Sequence, residues 1–95
     1  MAAYLYVNIE ITDAEGFKAY ASQVPASIAR FGGRYLARGG PAKRLEGDLP
    51  LRRQVLLEFP DMATLEAWYD SDDYRPLRDL RLACSIGDVV AFEGA

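Results

Sequence analysis

The first part of the chain, residues 4–11, alternates large aliphatic side chains with aromatic and polar ones. Successive side chains of a β-strand point to opposite faces, so this pattern predicts a strand with two distinct faces. The aliphatic row, which suits a packed core, is Leu5, Val7, Ile9 and Ile11. The opposite row is Tyr4, Tyr6, Asn8 and Glu10, richer in large rings than an ordinary solvent-facing row. We therefore predict that the second face is half-buried, against a partner chain or around a small ligand.

A helical pattern follows this strand. Thr12 with Glu15 three positions later has the form of a capping box, and Gly32-Gly33 ends the pattern. Pro25 inside the pattern predicts a kink or a restart near Val24. The residues at core-facing helical spacing are Phe17, Tyr20, Ala21, Val24, Ile28 and Phe31.

The rest of the chain predicts three more strands and a second helical region. A strand over residues 34–38 is expected to continue over 42–46 after Gly39-Gly40-Pro41, and another covers 53–59. Asp61 is the expected N-cap of a helix whose core-spaced residues are Leu65, Trp68 and Tyr69. A further helical piece has Leu77, Leu80 and Cys84 along one side, and a last strand runs over roughly 88–93.

This order, β-α-β-β-α-β, predicts a single α+β domain over residues 1–95 with the ferredoxin-like fold, both helices covering one face of an antiparallel sheet. Alternation puts a mixed set on the other face: Tyr4, Tyr6, Asn8, Glu10, Leu36, Arg38, Gln54, Leu56 and Glu58. Two such sheets packed face to face would bury this set and enclose a polar and aromatic cavity. We therefore predict a homodimer, a dimeric α/β barrel.

Composition narrows the classes of function. The net charge of −3 argues against nucleic-acid and anionic-membrane partners, which need clustered Lys and Arg. The single Cys84 cannot form an internal disulfide and suits a reducing compartment. No apolar run approaches the length of a membrane span, and the N-terminus lacks the pattern of a secretion signal. We predict a cytoplasmic protein.

The chain has no histidine, which excludes Ser-His-Asp and Cys-His catalysis, a His-ligated haem and most zinc sites. Asp70, Asp72 and Asp73 lack the Gly and the terminal Glu of a calcium loop. We predict no metal and no cofactor. The row formed by Arg75, Arg78 and Arg81 is interpreted as a solvated face, and Cys84 as a buried small hydrophobe.

Six residues are candidates for binding a substrate. Arg38 and Glu58, expected on neighbouring strands of the open face, could hold an anionic oxygen and move a proton, or form a structural ion pair. Tyr6 and Asn8 could orient a ligand in the same place, or pack in the dimer. Trp68 is more typical of a core, and Tyr74, at the break in the second helical region, is a candidate for a pocket rim.

Several segments together resemble the domain-of-unknown-function family 1330. They are Val24-Pro25-Ala26, residues 32–40, Leu45-Glu46-Gly47-Asp48, Glu58-Phe59-Pro60, residues 67–71, and Tyr74-Arg75-Pro76-Leu77 with Arg81. The resemblance implies the dimeric α/β-barrel superfamily, which includes cofactor-independent monooxygenases, muconolactone isomerases, haem enzymes and ligand-sensing domains. The missing histidine separates this chain from the haem branch. The resemblance implies no catalytic residue.

Two functions fit these observations. The first is a small enzyme acting on an organic acid or an oxygenated metabolite in the dimer-interface cavity. The alternative is a non-catalytic dimer that binds or senses a small molecule.

Overall fold

The computed structural model describes residues 1–95, which form a four-stranded sheet and three helices. In chain order the elements are β1 (Ala3–Ile11), α1 (Ala14–Arg30), β2 (Arg34–Arg38), β3 (Arg53–Phe59), α2 (Met62–Tyr69), α3 (Arg75–Cys84) and β4 (Ser85–Glu93). The strands lie in the order β2-β3-β1-β4, and every neighbouring pair is antiparallel. The predicted ferredoxin-like α+β fold is confirmed.

The core lies between the helices and one face of the sheet. The aliphatic row of β1 is buried there as far as Ile9, while Ile11 at the strand end is exposed. Trp68 of α2 and Phe59 of β3 stack with their ring centroids 5.2 Å apart, and Trp68 has no exposed surface. Burying a large side chain of this kind contributes about 1.5–3 kcal/mol to stability. This layer joins the helices to the sheet.

The first helix differs from its prediction at its start, and it does not restart at the proline. Asp13, not Thr12, is the N-cap, and its Oδ1 accepts from the Gly16 backbone N–H at 3.3 Å. The helix also continues through Pro25 to Arg30 without a restart. Val24 and Ile28, on either side of the proline, are buried in the core. Packing therefore holds the helix together despite the backbone hydrogen bond that proline cannot donate.

The segment from residue 39 to 52 has no regular secondary structure, so the predicted strand over 42–46 is wrong. Gly39 has a φ of +71°, which turns the chain out of β2 immediately after Arg38. The last strand begins at Ser85, earlier than predicted, because Ser85 pairs with Ile11 of β1. The loop rather than a strand therefore connects β2 to β3.

A β-bulge in β2 decides which way its arginines face. Arg34 lies opposite Glu58 of β3, but after the bulge Arg38 lies opposite Val55. Val55 is on the helix-covered side of the sheet, and Glu58 is on the open side. The predicted pairing of Arg38 with Glu58 is therefore wrong. One extra residue, Leu36, reverses the alternation that the prediction assumed.

Candidate functional site

A cavity of about 50 Å³ lies between the helices and the sheet. By the space that one buried water needs, it could hold roughly three to five waters. Most of its lining is hydrophobic, and its polar lining consists of three arginines, three tyrosine hydroxyl groups and the indole of Trp68. The full lining is Leu5, Val7, Ile9, Phe17, Tyr20, Ala21, Val24, Ile28, Tyr35, Arg38, Arg53, Val55, Leu57, Trp68, Tyr74, Arg81 and Val89. No carboxylate is among these residues.

The arginines that form ion pairs are not the arginines that line the cavity. Five of the nine form ion pairs with Asp or Glu: Arg30, Arg34, Arg52, Arg75 and Arg78. The three that line the cavity, Arg38, Arg53 and Arg81, form none. Because guanidinium groups keep their charge at all physiological pH values, the cavity carries positive charge that the protein itself does not neutralise.

Arg81 is the most buried of the three, with only 6% of its surface exposed. It shares the buried stripe of α3 with Leu77 and Cys84, so its interpretation as part of a solvated face is wrong. Its Nε donates to the Tyr74 hydroxyl oxygen at 3.4 Å. The spacing of Leu77, Arg81 and Cys84, four and then three residues apart, is the sequence signal that could have placed it in the core.

Tyr74 also contacts Tyr20, with 2.9 Å between their hydroxyl oxygens. The two hydroxyl groups have one proton each, and the contact between them uses one. The guanidinium of Arg81 can only donate, so it takes neither proton. One phenolic proton therefore remains for a further acceptor in the cavity.

Arg53 and Arg38 come from the sheet side. The guanidinium of Arg53 lies 5.7 Å from the centre of the Phe17 ring, and its Nε is buried without a hydrogen-bond partner. Arg38 lies over the ring of Tyr35 at 4.3 Å. Arg53 lies two positions before Val55 and four before Leu57 in β3. The alternation of a strand therefore predicts, from the sequence alone, that all three side chains point to the same side of the sheet.

Burial controls the ionisation of the tyrosines. It raises the pKa of Tyr20 far above its ordinary value of 10.0, with Tyr74 adding to the effect. Burial likewise raises the pKa of Tyr35, although Arg38 opposes the shift. For Arg81, burial lowers the pKa, but Tyr74 and Tyr20 raise it by more. The phenols of Tyr20 and Tyr35 therefore stay neutral hydrogen-bonding groups, and Arg81 stays a cation.

The six predicted site residues separate into two groups on opposite sides of the sheet. Arg38, Trp68 and Tyr74 line the cavity. The Trp68 indole N–H donates to Ser27 Oγ at 3.1 Å, so its polar atom is already bonded. Tyr6, Asn8 and Glu58 lie on the open face. Tyr20, Tyr35, Arg53 and Arg81 also line the cavity and were not predicted as site residues.

On the open face, Asn8 is completely buried and fastens the 39–52 loop to the sheet. Its Nδ2 donates to the Pro50 carbonyl at 3.0 Å, and its Oδ1 accepts from the Arg52 backbone N–H at 3.2 Å. Gln54 Nε2 donates to the same Oδ1 at 2.6 Å, and the Tyr6 hydroxyl donates to Gln54 Oε1. Both polar atoms of Asn8 are thus bonded within the protein.

Glu58 pairs with Arg34, whose Nη2 lies 2.8 Å from Glu58 Oε1. Hydrogen bonds from Arg34 and from Tyr4 hold the pKa of Glu58 below its usual range. The Tyr4 ring in turn stacks on Phe92 with centroids 5.7 Å apart. Along β4 the open face exposes large apolar side chains, with Ile86 54%, Val90 52% and Phe92 47% exposed.

The structure also bears on metal binding and on membrane crossing. No three carboxylate or thiol side chains come together as metal ligands would. None of the three helices combines the length and the apolar character that crossing a membrane requires.

The model of the domain of unknown function DUF1330 matches residues 2–95. The chain belongs to the DUF1330 family. No curated protein sequence matches this DUF1330 chain. The resemblance predicted from the sequence is therefore confirmed, and it identifies a family without a described activity.

Solved structures share the fold of this DUF1330 chain at low sequence identity. A protein of unknown function from Rhodopseudomonas palustris has a TM-score of 0.74 at 17% identity, over 96% of this chain and 78% of that one. A dimeric ferredoxin-like protein of unknown function from Jannaschia sp. CCS1 has a TM-score of 0.68 at 14% identity, over 99% and 100%. SnoaB, a cofactor-independent oxygenase from Streptomyces nogalater, has a TM-score of 0.64 at 11% identity, over 99% and 92%.

Proposed function

We propose that this DUF1330 protein binds a small organic acid in the cavity between its sheet and its helices. One observation supports this proposal above all others: three arginines line an otherwise apolar cavity, and no carboxylate accompanies them. Pockets for small molecules commonly combine apolar walls with a few polar groups that fix the orientation of the ligand. The ligand that complements this lining has an apolar body and an anionic oxygen.

The cost of burying Arg81 supports the same ligand class. Removing a charged group from water costs several kcal/mol unless a partner of opposite charge is present. Tyr74 is a neutral partner at the long distance of 3.4 Å, and it offsets only part of this cost. A carboxylate can accept two parallel hydrogen bonds from a guanidinium, the strongest arrangement available to it. Binding an acid would therefore relieve an unfavourable feature of the empty cavity.

The two functions predicted from the sequence both remain compatible with this ligand. In the enzyme, Arg38, Tyr74 and Trp68 would contact the substrate, and Arg81 would hold its charge. The fold shared with the oxygenase SnoaB supports an enzyme by analogy of architecture alone. In the alternative, the same cavity binds its ligand without turnover. The two functions can be distinguished by incubating the protein with the ligand and measuring the amount of unchanged ligand by chromatography. An enzyme converts the ligand over time, whereas a sensor leaves it unchanged.

We also propose that the protein is a homodimer whose open sheet faces meet. The exposed Val90 and Phe92 beside Tyr4 form an apolar surface that a second copy would cover, and one structure of the same fold is dimeric. Tyr6, Asn8 and Glu58 then lie at the subunit interface. A ligand cavity at that interface, as the sequence predicted, would be separate from the cavity beneath the helices.

The test compares an acid with its neutral isostere. Titration calorimetry with benzoate and with benzamide is expected to show binding of benzoate only, because the amide has no charge for Arg81. The variant Arg81→Met should lose at least tenfold in affinity for benzoate. The matched control is Arg75→Met on the same helix, which removes an exposed arginine that pairs with Asp72. Equal binding of acid and amide, or no loss in Arg81→Met, would refute the proposal.

A further inference from the structure

The charged and titratable side chains that face the cavity come from both the helices and the sheet. All of them are hydrogen-bond donors, and none is an ordinary proton acceptor such as a carboxylate or an imidazole. They are Tyr20 from α1, Tyr35 and Arg38 from β2, Arg53 from β3, Tyr74 at the N-cap of α3, and Arg81 from α3. The residues that β1, β4 and α2 contribute are Leu5, Val7, Ile9, Val89 and Trp68, none of which titrates. The chain has no histidine that could accept a proton from elsewhere. The cavity therefore favours negative charge on whatever enters it.

We propose that the cavity takes weakly acidic phenols and enols in their ionised form, with the oxyanion held by Arg81 and the Tyr20–Tyr74 pair. This inference rests on the proposed function, since it concerns the same cavity. The inference goes beyond the proposed function because phenols and enols are mostly neutral in water at neutral pH, whereas a carboxylic acid is already ionised. The cavity would then select the charge state of its ligand as well as its shape.

The hydrogen-bond inventory supports an oxyanion at this place. The contact between Tyr20 and Tyr74, at 2.9 Å, leaves one phenolic proton unused. Arg81 donates its Nε–H to Tyr74 and has further N–H groups without a carboxylate partner. An oxyanion accepts both kinds of donor, whereas the neutral phenol would bring a further donor into a cavity already rich in them.

The proton balance has a simple form. The O–H bond of the ligand breaks, its electron pair stays on the ligand oxygen, and the proton passes to solvent because no side chain of the lining accepts it. Binding is therefore expected to release protons. If the protein is an enzyme, its chemistry would begin from an enolate or phenolate formed by binding, without a general base on the protein.

The experiment uses 4-nitrophenol, whose ionised form has its own absorption band, with the full-length protein. Spectra of the free and the bound probe are recorded across a pH series. We expect the apparent pKa of the bound probe to fall by about one unit or more, which corresponds to at least tenfold tighter binding of the anion. Proton release into weakly buffered solution should accompany binding. The variant Arg81→Lys, which keeps the charge, should retain most of the shift, and Arg81→Met should lose it.

The outcomes separate the two proposals. If neither benzoate nor 4-nitrophenol binds, the proposed function is wrong, and this inference is wrong with it. If benzoate binds, the inference alone is overturned in either of two ways: 4-nitrophenol fails to bind, or it binds with its pKa unchanged. A shift that persists in Arg81→Met with the same size would overturn the role of Arg81. Arg75→Met serves again as the control and should leave the shift unchanged.

Discussion

The hydroxyl groups of Tyr20 and Tyr74 lie 2.9 Å apart in the cavity and join α1 to the N-cap of α3. Tyr74 is 2% exposed, and its hydroxyl oxygen also accepts from Arg81 Nε. It therefore links the phenol of Tyr20 on α1 to the guanidinium of Arg81 on α3. Within the cavity lining, this bridge is the only side-chain hydrogen bond between α1 and the segment formed by α3 and its N-cap. Its removal therefore has consequences for stability as well as for binding.

The first prediction concerns Tyr74→Phe. The variant leaves both the Tyr20 hydroxyl and the Arg81 Nε without their partner, so it should lower the free energy of unfolding by about 2–3 kcal/mol. Tyr20→Phe leaves the contact of Arg81 with Tyr74 intact and should cost less. Urea denaturation of both single variants and of the double variant measures these effects. The double variant should cost less than the sum, because removing both partners leaves no orphaned phenol. Additive costs would contradict this view of the bridge.

The second prediction concerns acid stability. Hydrogen bonds from Arg34 and Tyr4 lower the pKa of Glu58 in the folded protein, below its ordinary value of 4.5. Ionised Glu58 therefore stabilises the fold above that ordinary value, and its contribution disappears as the pH falls through the lower folded pKa. Glu58→Gln should accordingly show a flatter decline of unfolding free energy in acid than the natural protein. Denaturant melts at a series of pH values below 5 test this, with Glu66→Gln, an exposed residue outside any ion pair, as the control. An unchanged slope in Glu58→Gln would contradict it.

The third prediction concerns close packing at the end of α1. A Cβ placed on Gly33 would lie 2.5 Å from one carbon of the Phe59 ring and 2.8 Å from Ile28 Cγ2. Gly33→Ala should therefore destabilise the protein by about 1–3 kcal/mol, the usual cost of overpacking a core. Gly40→Ala is the matched control, because a Cβ there meets open space. Thermal melts of the two variants should differ clearly, and equal melting temperatures would show that the ring can move aside at little cost.

The fourth prediction concerns the loop over residues 39–52. Asn8 bonds to Pro50 and Arg52, and nothing of its side chain reaches solvent. Asn8→Ala should lower stability by about 2 kcal/mol, since the freed backbone groups lose their partner. It should also release the loop, whose middle part contains two trypsin sites, after Lys43 and Arg44. Limited trypsin digestion should cut the variant faster at these sites. Glu10→Ala, an exposed change on the same strand, should be cut at the natural rate.

The fifth prediction concerns assembly. Phe92 is 47% exposed on the open face, so Phe92→Asp should place a charge in the proposed dimer interface. Because a buried unpaired charge is strongly unfavourable, the variant should be monomeric in light scattering after size-exclusion chromatography. Leu82→Asp is the control, since Leu82 is similarly exposed, at 59%, but lies on α3. A natural protein that is already monomeric, or a dimer that survives Phe92→Asp, would refute the face-to-face assembly.

The fold could be predicted because its signals are local and agree with one another. The alternation in β1 and the Asp61 N-cap both appear in the structure as the sequence indicated. The site could be predicted only in part. Nothing in residues 34–38 signals the bulge that turns Arg38 toward the helices. Arg81 was predicted incorrectly for another reason: charged side chains in a row are usually solvated, and the helical spacing with Leu77 and Cys84 carried the better information.

The extra residue at Leu36 makes the charge of the cavity depend on the bulge as well as on residue identity. Arg34 and Arg38, four positions apart, point to opposite sides of the sheet because of that one residue. In an unbroken strand of the same length Arg38 would instead point to the side of Glu58, with no arginine gained or lost. Deleting Leu36 would leave the two arginines three positions apart, so a regular strand would keep Arg38 on the ligand side. A family member that lacks one residue here would therefore keep the ligand-side arginine, whereas a member of equal length without the bulge would lose it, although an alignment would match its arginines perfectly.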